Sequence, residues 1–297
     1  MRVCWWMRAL LVHNPSAGSG RPTGEDLLES LDAAGFSTVY FCTKNGDLDQ
    51  ALAQSTDIVI VAGGDGTVAK VARALPDRKT LMAILPRGTA NNIARCLGIH
   101  GETEDLIKAL RCAPVARLDV GVVVGPWGTW HFVEGVGWGA LAKTIDRDSD
   151  PKAGKEERIA RGRAAFAKMV AKAKPRRFLV HCDGDEIEED FIFVEAVNLG
   201  MTGPRIMIDP TAKPGDQLLD LVYLTEKGRQ EMLDWLERDA DEPPPLASRR
   251  AKKVTLAWDK GPLRVDDEVC DEPELASNII AELEPDSLRV CVPEKRG

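Results

Sequence analysis

No run of apolar residues in this 297-residue chain approaches the ~20 needed to cross a bilayer as a helix. Its seven cysteines are scattered at positions 4, 42, 96, 112, 182, 270 and 291, and no two stand as Cys-x-x-Cys, which argues against a zinc cage or a dithiol pair. Several lie inside apolar runs, as buried thiols do in reducing compartments. Aromatic residues make up only 5% of the chain, too few beyond its seven tryptophans for a base-stacking platform. A net charge of −8 argues against a surface built to grip nucleic acid, so no nucleic-acid partner is expected. The opening segment, Met1 to Arg8, has too short an apolar core for a signal peptide. The expectation is a cytoplasmic protein, with peripheral contact at a membrane as an open addition. There is no internal repeat.

What is present is an ordinary globular composition, 44% hydrophobic and 29% charged, long enough for two domains. Strand and helix signals alternate over the first ~120 residues, as in a parallel sheet covered by helices. Strands are expected at 9–12, 38–43, 57–62 and 81–85. Helices are expected after Thr23, at 48–54, 68–75, 90–97 and 102–111. From Leu118 the pattern changes to many short strands, at 120–124, 129–133, 177–182, 191–198, 217–224, 254–258 and 263–265. Helices interrupt them at 155–174 and 228–238. That grammar predicts an α/β domain over 1–118 and a mostly antiparallel β-sandwich domain over 119–285. A last strand, within 286–297, is free to join the first domain.

Three strand ends in the first half carry unusual loops, at 14–20, 63–67 and 88–92. In the second, an apolar strand ends in Gly63-Gly64-Asp65-Gly66-Thr67. Glycines let a backbone approach closely, helix-opening N–H groups attract anions, and a carboxylate can hold a metal-bound phosphate. The run matches neither G-x-x-x-x-G-K-[ST] nor G-x-G-x-x-G, and alone it is equally well a tight turn. Three such loops on the carboxyl edge of one parallel sheet favour nucleotide binding.

The set Asn14-Pro15-Ser16-Ala17-Gly18, Gly63 to Thr67 and Gly88-Thr89-Ala90-Asn91-Asn92 resembles the diacylglycerol kinase catalytic family, which includes bacterial lipid kinases and sphingosine kinases. The likeness continues through Arg117 to Gly121, Asp209 to Ala212, Asp216, Asp220 and Asp266-Asp267-Glu268. The glycine–aspartate motif alone is shared with NAD kinases and phosphofructokinases, so the first and third loops carry the specificity. The resemblance implies an NAD kinase/diacylglycerol kinase-like fold with ATP and Mg2+ between an α/β domain and a β-sandwich. It implies nucleotide contacts from Asn14, Ser16, Gly18, Gly64, Gly66, Thr67, Gly88, Thr89, Asn91, Asn92 and Asp266. Asp65 and Asp119 would stand around the metal, Asp216 would belong to an acidic element that holds a structural metal in some members, and Asp65 and Glu268 would be catalytic. Glu268 matches the general base for the acceptor hydroxyl.

Three positions depart from the family pattern. Asn92 stands where many members have Asp, Asp267 replaces the glycine of an Asp-Gly-Glu tripeptide, and Gln217 follows Asp216 where glycine is common. If the tripeptide turn needs a positive φ, Asp267 carries a modest penalty.

The activity implied is ATP- and Mg2+-dependent phosphorylation of a lipid hydroxyl, diacylglycerol or a relative. Two alternatives stay open: an NAD-kinase-like phosphotransferase with a soluble acceptor, and a nucleotide sensor without transfer. Residues 152–177 hold ten basic against two acidic residues, with apolar positions at Ala160, Ala164, Phe166, Ala167, Met169, Val170 and Ala171. Such a segment can lie on anionic lipid, giving transient membrane contact, or pack as a solvated helix on the second domain. Trp5, Trp6, Trp127, Trp130 and Trp138 could assist, though core packing explains them as well. A homodimer is compatible with the sequence.

Overall fold

The computed structural model describes residues 7–144, 154–238 and 242–293. The chain divides into two compact units, one running to Leu118 and resuming at Asp286, the other Asp119–Pro285.

The first unit alternates β1 (Met7–His13), α1 (Gly24–Ala33), β2 (Phe36–Cys42), α2 (Leu48–Leu52), β3 (Ile58–Gly63), α3 (Asp65–Ala74), β4 (Leu81–Pro86), α4 (Asn92–Cys96), α5 (Thr103–Ala109) and β5 (Val115–Leu118). The sheet order is β2-β1-β3-β4, followed by the chain's last strand, Leu288–Cys291, and then β5. Pairings through β2, β1, β3, β4 and the last strand are parallel, and β5 runs antiparallel beside it. All of β3 and the middle of β4 are buried, which explains their unbroken apolar sequences. Connections from β1 run to one side and from β3 to the other, so the strand order reverses between β1 and β3. That is where open α/β sheets bind ligands. At α1, Thr23 and Asp26 form a reciprocal capping box, as the sequence suggests.

The second unit contains β6 (Gly121–Gly125), β7 (Gly128–Phe132), β8 (Gly135–Gly139), α6 (Lys155–Lys172), β9 (Arg176–Cys182), β10 (Asp185–Val197), β11 (Met201–Thr202), β12 (Ile206–Met207), β13 (Leu219–Thr225), α7 (Arg229–Glu237), β14 (Ala247–Ala251), β15 (Lys253–Trp258), β16 (Leu263–Val265), β17 (Glu268–Cys270) and β18 (Ser277–Leu283). Eleven strands form one continuous, mostly antiparallel curled sheet, with β11 and β12 paired separately. One face encloses a core that includes Phe132, Phe191, Leu221 and Trp258. The other carries α6 and α7 on Phe193, Val197, Val222 and Leu224.

Phe166 and Val170 of α6 are buried in that second core, so the segment's largest apolar residues pack within the unit. Trp138 packs edge-on to Phe178, and Trp127 contacts both Trp130 and Trp258. Trp5, Trp6 and Lys152 lie outside the described residues. Among the described residues no helix is long and apolar enough to cross a membrane.

Seven strands escape the sequence pattern: β5, β8, β11, β12, β14, β17 and β18. The sequence of β8, Gly-Val-Gly-Trp-Gly, reads as a loop, yet its glycines answer to packing. A Cβ on Gly137 would lie 1.9 Å from Cδ of Glu195 on the neighbouring strand. β10 also begins six residues before the expected 191, because cross-strand partners on β9, such as Arg177 for Glu188 and Asp190, match its acidic entry.

Candidate active site

The loops after β1, β3 and β4 lie side by side because those strands are neighbours. The first joins the second where Asn14 Nδ2 donates to Thr67 Oγ1 at 3.0 Å. Asn14 Oδ1 accepts from the Ser16 N–H at 3.0 Å, which folds the first loop upon itself. The first loop meets the third at Gly18, where φ is +72° and a Cβ would lie 2.6 Å from the Arg87 carbonyl oxygen. The second and third touch backbone to backbone, since a Cβ on Gly88 would stand 2.6 Å from Gly64 Cα. No other residue type permits that approach.

The third loop is closed by Asn91, which accepts from the Gly88 N–H at 2.7 Å and donates to the Gly88 carbonyl at 3.0 Å. Its backbone is left-handed, φ 55°, a conformation asparagine tolerates. Thr89 and Asn92 complete the loop. Asn92 is buried as the first residue of α4.

Asp65 ties the loops together. The helix expected from Val68 starts at Asp65, with Gly64 as its N-cap, so Asp65, Gly66 and Thr67 form a first helical turn. The Asp65 carboxylate accepts the N–H of Ile93 at 3.0 Å and thereby caps α4. Burial raises its pKa, and the main-chain N–H groups of Ile93, Asn92, Asn91 and Asp65 itself oppose the rise. One carboxylate therefore joins the openings of two helices, whose N–H groups offset part of the cost of burying its charge.

In the second unit, the residues singled out from sequence are held by internal bonds. Asp119 is fully buried, and its two oxygens accept from the main-chain N–H and the side-chain amide of Gln217, at 2.8 and 2.6 Å. Gln217 has φ +62°, which explains why glycine suits that position. Asp216 pairs with Arg250 and accepts from the Leu218 N–H at 3.2 Å. Asp220, also buried, lies 3.5 Å from Arg250, and its pKa is pushed up to about 6 by burial and by the charges of Asp209 and Asp216. Asp209 is itself bonded by Thr211 and Ser248.

Asp266 and Glu268 belong to the β16–β17 hairpin. The positive φ of that turn, 52°, falls on Asp266 and not on Asp267, so the missing glycine brings no backbone penalty. The Asp266 carboxylate accepts N–H bonds from Val133, Glu134 and Gly135, at 2.8 to 3.3 Å. Glu268, first residue of β17, is exposed.

Three residues went unselected in the sequence. Asn198 Nδ2 donates to the carbonyls of Asp119 and Val133, both at 2.9 Å, and so links the Asp119 corner to the β7–β8 turn that holds Asp266. Glu195 and Arg264 form a buried ion pair at 2.8 Å, and Arg264 also donates to the Asp266 carbonyl at 2.6 Å. The available signal was a lone charge inside each of two apolar strands.

The donor set bears on which groups could be bound. Asp65 fits a metal-held phosphate. Asp119 is wholly buried and has one hydrogen bond from Gln217 on each oxygen, which leaves lone pairs on both. Asp216 is ion-paired with Arg250.

Comparison with known proteins agrees with this architecture. The diacylglycerol kinase catalytic domain matches residues 8–123, and the YegS C-terminal NAD kinase beta sandwich-like domain matches residues 147–292. The chain belongs to the diacylglycerol kinase family, a family of kinase-type phosphotransferases.

A diacylglycerol kinase of Bacillus subtilis is 27% identical over 243 residues, 76% of each chain. One of Staphylococcus saprophyticus is 34% identical over 124 residues, covering 38% of this chain and 40% of that protein. Among solved structures, a diacylglycerol kinase from Bacillus anthracis aligns over 98% of both chains with a TM-score of 0.70 at 22% identity. An NAD kinase from Archaeoglobus fulgidus in complex with ATP aligns with a TM-score of 0.55 at 17% identity, covering 98% of this chain and 95% of that one. At such identities these two structures speak for the fold.

Proposed function

We propose that this protein is a lipid kinase that moves the γ-phosphoryl group of ATP, with Mg2+, onto the hydroxyl of diacylglycerol or a related lipid. The observation that carries the proposal is the meeting of three strand-end loops through Asn14–Thr67, Gly18–Arg87, Gly64–Gly88 and Asp65–Ile93. This gathering at the switch point of a parallel sheet gives a polyphosphate chain close backbone approach and helix-opening N–H groups.

Asp65 is the carboxylate that would hold the metal, which when bound neutralises charge on the phosphoryl oxygens. The first-turn N–H groups of α3 would orient the phosphates. Glu268, exposed on its hairpin, would accept the proton of the acceptor hydroxyl as the new O–P bond forms. Asp266 would act through its three N–H bonds, by fixing the turn that presents Glu268. The lipid would be met at a membrane surface, with the exposed basic residues Arg161, Lys168 and Lys172 of α6 toward anionic headgroups.

The test is γ-labelled ATP offered with diacylglycerol micelles and, separately, with NAD. Label in the lipid is the expected result. Label in NAD alone would replace the acceptor class, and ATP binding without transfer to either would make the protein a sensor. Glu268→Gln should slow transfer roughly 10²–10⁴-fold; an unchanged rate removes Glu268 from the chemistry.

A further inference from the structure

Arg87 has no role in the contacts just described beyond its main chain, yet its side chain is placed in an unusual way. Parallel register aligns His13 of β1 with Ala62 of β3, and Ala62 with Leu85 of β4. Arg87, two residues beyond Leu85, leaves the sheet on the same face. Leu85 completes that row, and the charge of Arg87 reaches the His13 ring.

The Arg87 side chain is buried, the residue being 7% exposed, and among the described residues none of its three guanidinium nitrogens has a hydrogen-bond partner. Burial acts on its pKa, downward, and among the described residues no carboxylate opposes it. His13 is 1% exposed, with Nδ1 3.0 Å from the Tyr40 hydroxyl and Nε2 without a partner. Burial and, after it, the charge of Arg87 lower the pKa of His13, so the ring is neutral at physiological pH. When Tyr40 donates to Nδ1, the ring proton sits on Nε2 and makes that nitrogen a donor.

The result is a buried pair of side chains with one fixed positive charge whose donors meet no acceptor among the described residues. A buried, unpaired guanidinium destabilises a fold unless something compensates it. The first loop meets the same residue at its main chain, since Gly18 rests on the Arg87 carbonyl, and Ser16, Gly18, Ser19 and Gly20 of that loop are all exposed. The chemistry that satisfies such a group is a multivalent oxyanion, to which a guanidinium donates two parallel bonds.

We propose that Arg87 and His13 form a phosphate-binding floor next to the first loop that takes the phosphoryl chain of a nucleotide. The inference deepens the kinase reading and rests on it for the source of the anion, because inorganic phosphate offers the same chemistry. It adds to the loop residues two ligands on the sheet itself. It also accounts for the choice of arginine at a position where an apolar residue would stabilise the free protein.

The experiment is calorimetric titration of the full chain with ATP and, separately, with inorganic phosphate, for wild type, Arg87→Met and Arg87→Lys, with melting temperatures recorded alongside. Arg87→Met should weaken ATP at least tenfold while melting no lower than wild type without ligand. Arg87→Lys, which keeps the charge and loses the fork, should fall between. If Arg87→Met does not fold, Arg87→Lys decides: weakened binding supports the floor and unchanged binding overturns it.

Equal ATP affinity in wild type and Arg87→Met overturns the inference and leaves the kinase reading standing. Phosphate binding that depends on Arg87, in a wild type that does not bind ATP, supports the anion site and sinks the kinase reading. A wild type that binds neither anion overturns the inference.

Discussion

Gln217 donates both its main-chain N–H and its side-chain amide to the carboxylate of Asp119, at 2.8 and 2.6 Å. The bond pair crosses 98 residues of sequence and lies in the buried corner where the second unit begins. It also resolves a conflict. A left-handed backbone costs a non-glycine residue roughly 1–2 kcal/mol, and hydrogen bonds to a charged group return about 1.5–3 kcal/mol. Gln217→Ala keeps the strained backbone and loses the amide bond, so it should destabilise by about 1.5–3 kcal/mol. Gln217→Gly loses the same bond but relieves the strain, so its loss should be smaller. Urea unfolding of both variants measures the order, and glycine proving the worse substitute would refute this account.

In the proposed reaction Asp65 would have two duties that substitutions can separate. Its Oδ1 caps α4 through Ile93 N–H, which needs an acceptor but not a charge, whereas holding a metal needs the charge. Asp65→Asn should therefore melt close to wild type and lose phosphoryl transfer. Asp65→Ala should lose transfer and, in addition, about 0.5–2 kcal/mol of stability. An Asn variant that retains transfer would leave Asp65 with the cap alone.

Much of the first unit was legible in the sequence, because strand ends carrying glycine, asparagine and threonine announce both a turn and a use for it. The three loops could be placed on one edge from strand order alone. Less legible was what each carboxylate does. Asp119, Asp216 and Asp266 read as ligands, yet their oxygens are directed to Gln217, Arg250 and the main chain of 133–135. Sequence shows that an acidic residue is present; only the fold shows which donors face it. The glycines of β8 were opaque for the same reason, since the side chain that excludes a Cβ at Gly137 comes from β10.

Asp220 predicts a pH dependence. Burial first, then the charges of Asp209 and Asp216, push its carboxyl pKa up from the ordinary 3.8 to about 6. The folded state thus holds the proton more tightly than the unfolded chain. Stability is full below pH 4, falls as pH rises through 6, and is level above. The shift corresponds to at most about 3 kcal/mol. Asp220→Asn, which resembles the protonated form, should stabilise the protein at pH 7.5 and make almost no difference at pH 4. Denaturant unfolding at the two pH values tests it, and a gain that persists unchanged at pH 4 would contradict the assignment.

The Glu195–Arg264 pair makes the last prediction, which concerns the hairpin of Glu268. Both partners are buried, Arg264 also donates to Thr202 and to the Asp266 carbonyl, and burial pushes the Glu195 carboxyl upward against the guanidinium. Removing one partner strands a charge where water does not reach, so Glu195→Gln or Arg264→Met alone should cost about 3–5 kcal/mol. Removing both charges together, as Glu195→Gln with Arg264→Met, leaves no stranded ion, and the loss should be well short of the sum. The arginine variants also take a donor from the Asp266 carbonyl and should loosen the turn ahead of Glu268, whereas Glu195→Gln leaves that donor in place. Hydrogen exchange of the 133–135 amides reads the difference, because those N–H groups are the ones Asp266 holds. Faster exchange in Arg264→Met than in an equally destabilised Glu195→Gln would identify Arg264 as the support of the turn; equal exchange would reduce the pair to a contribution to core stability.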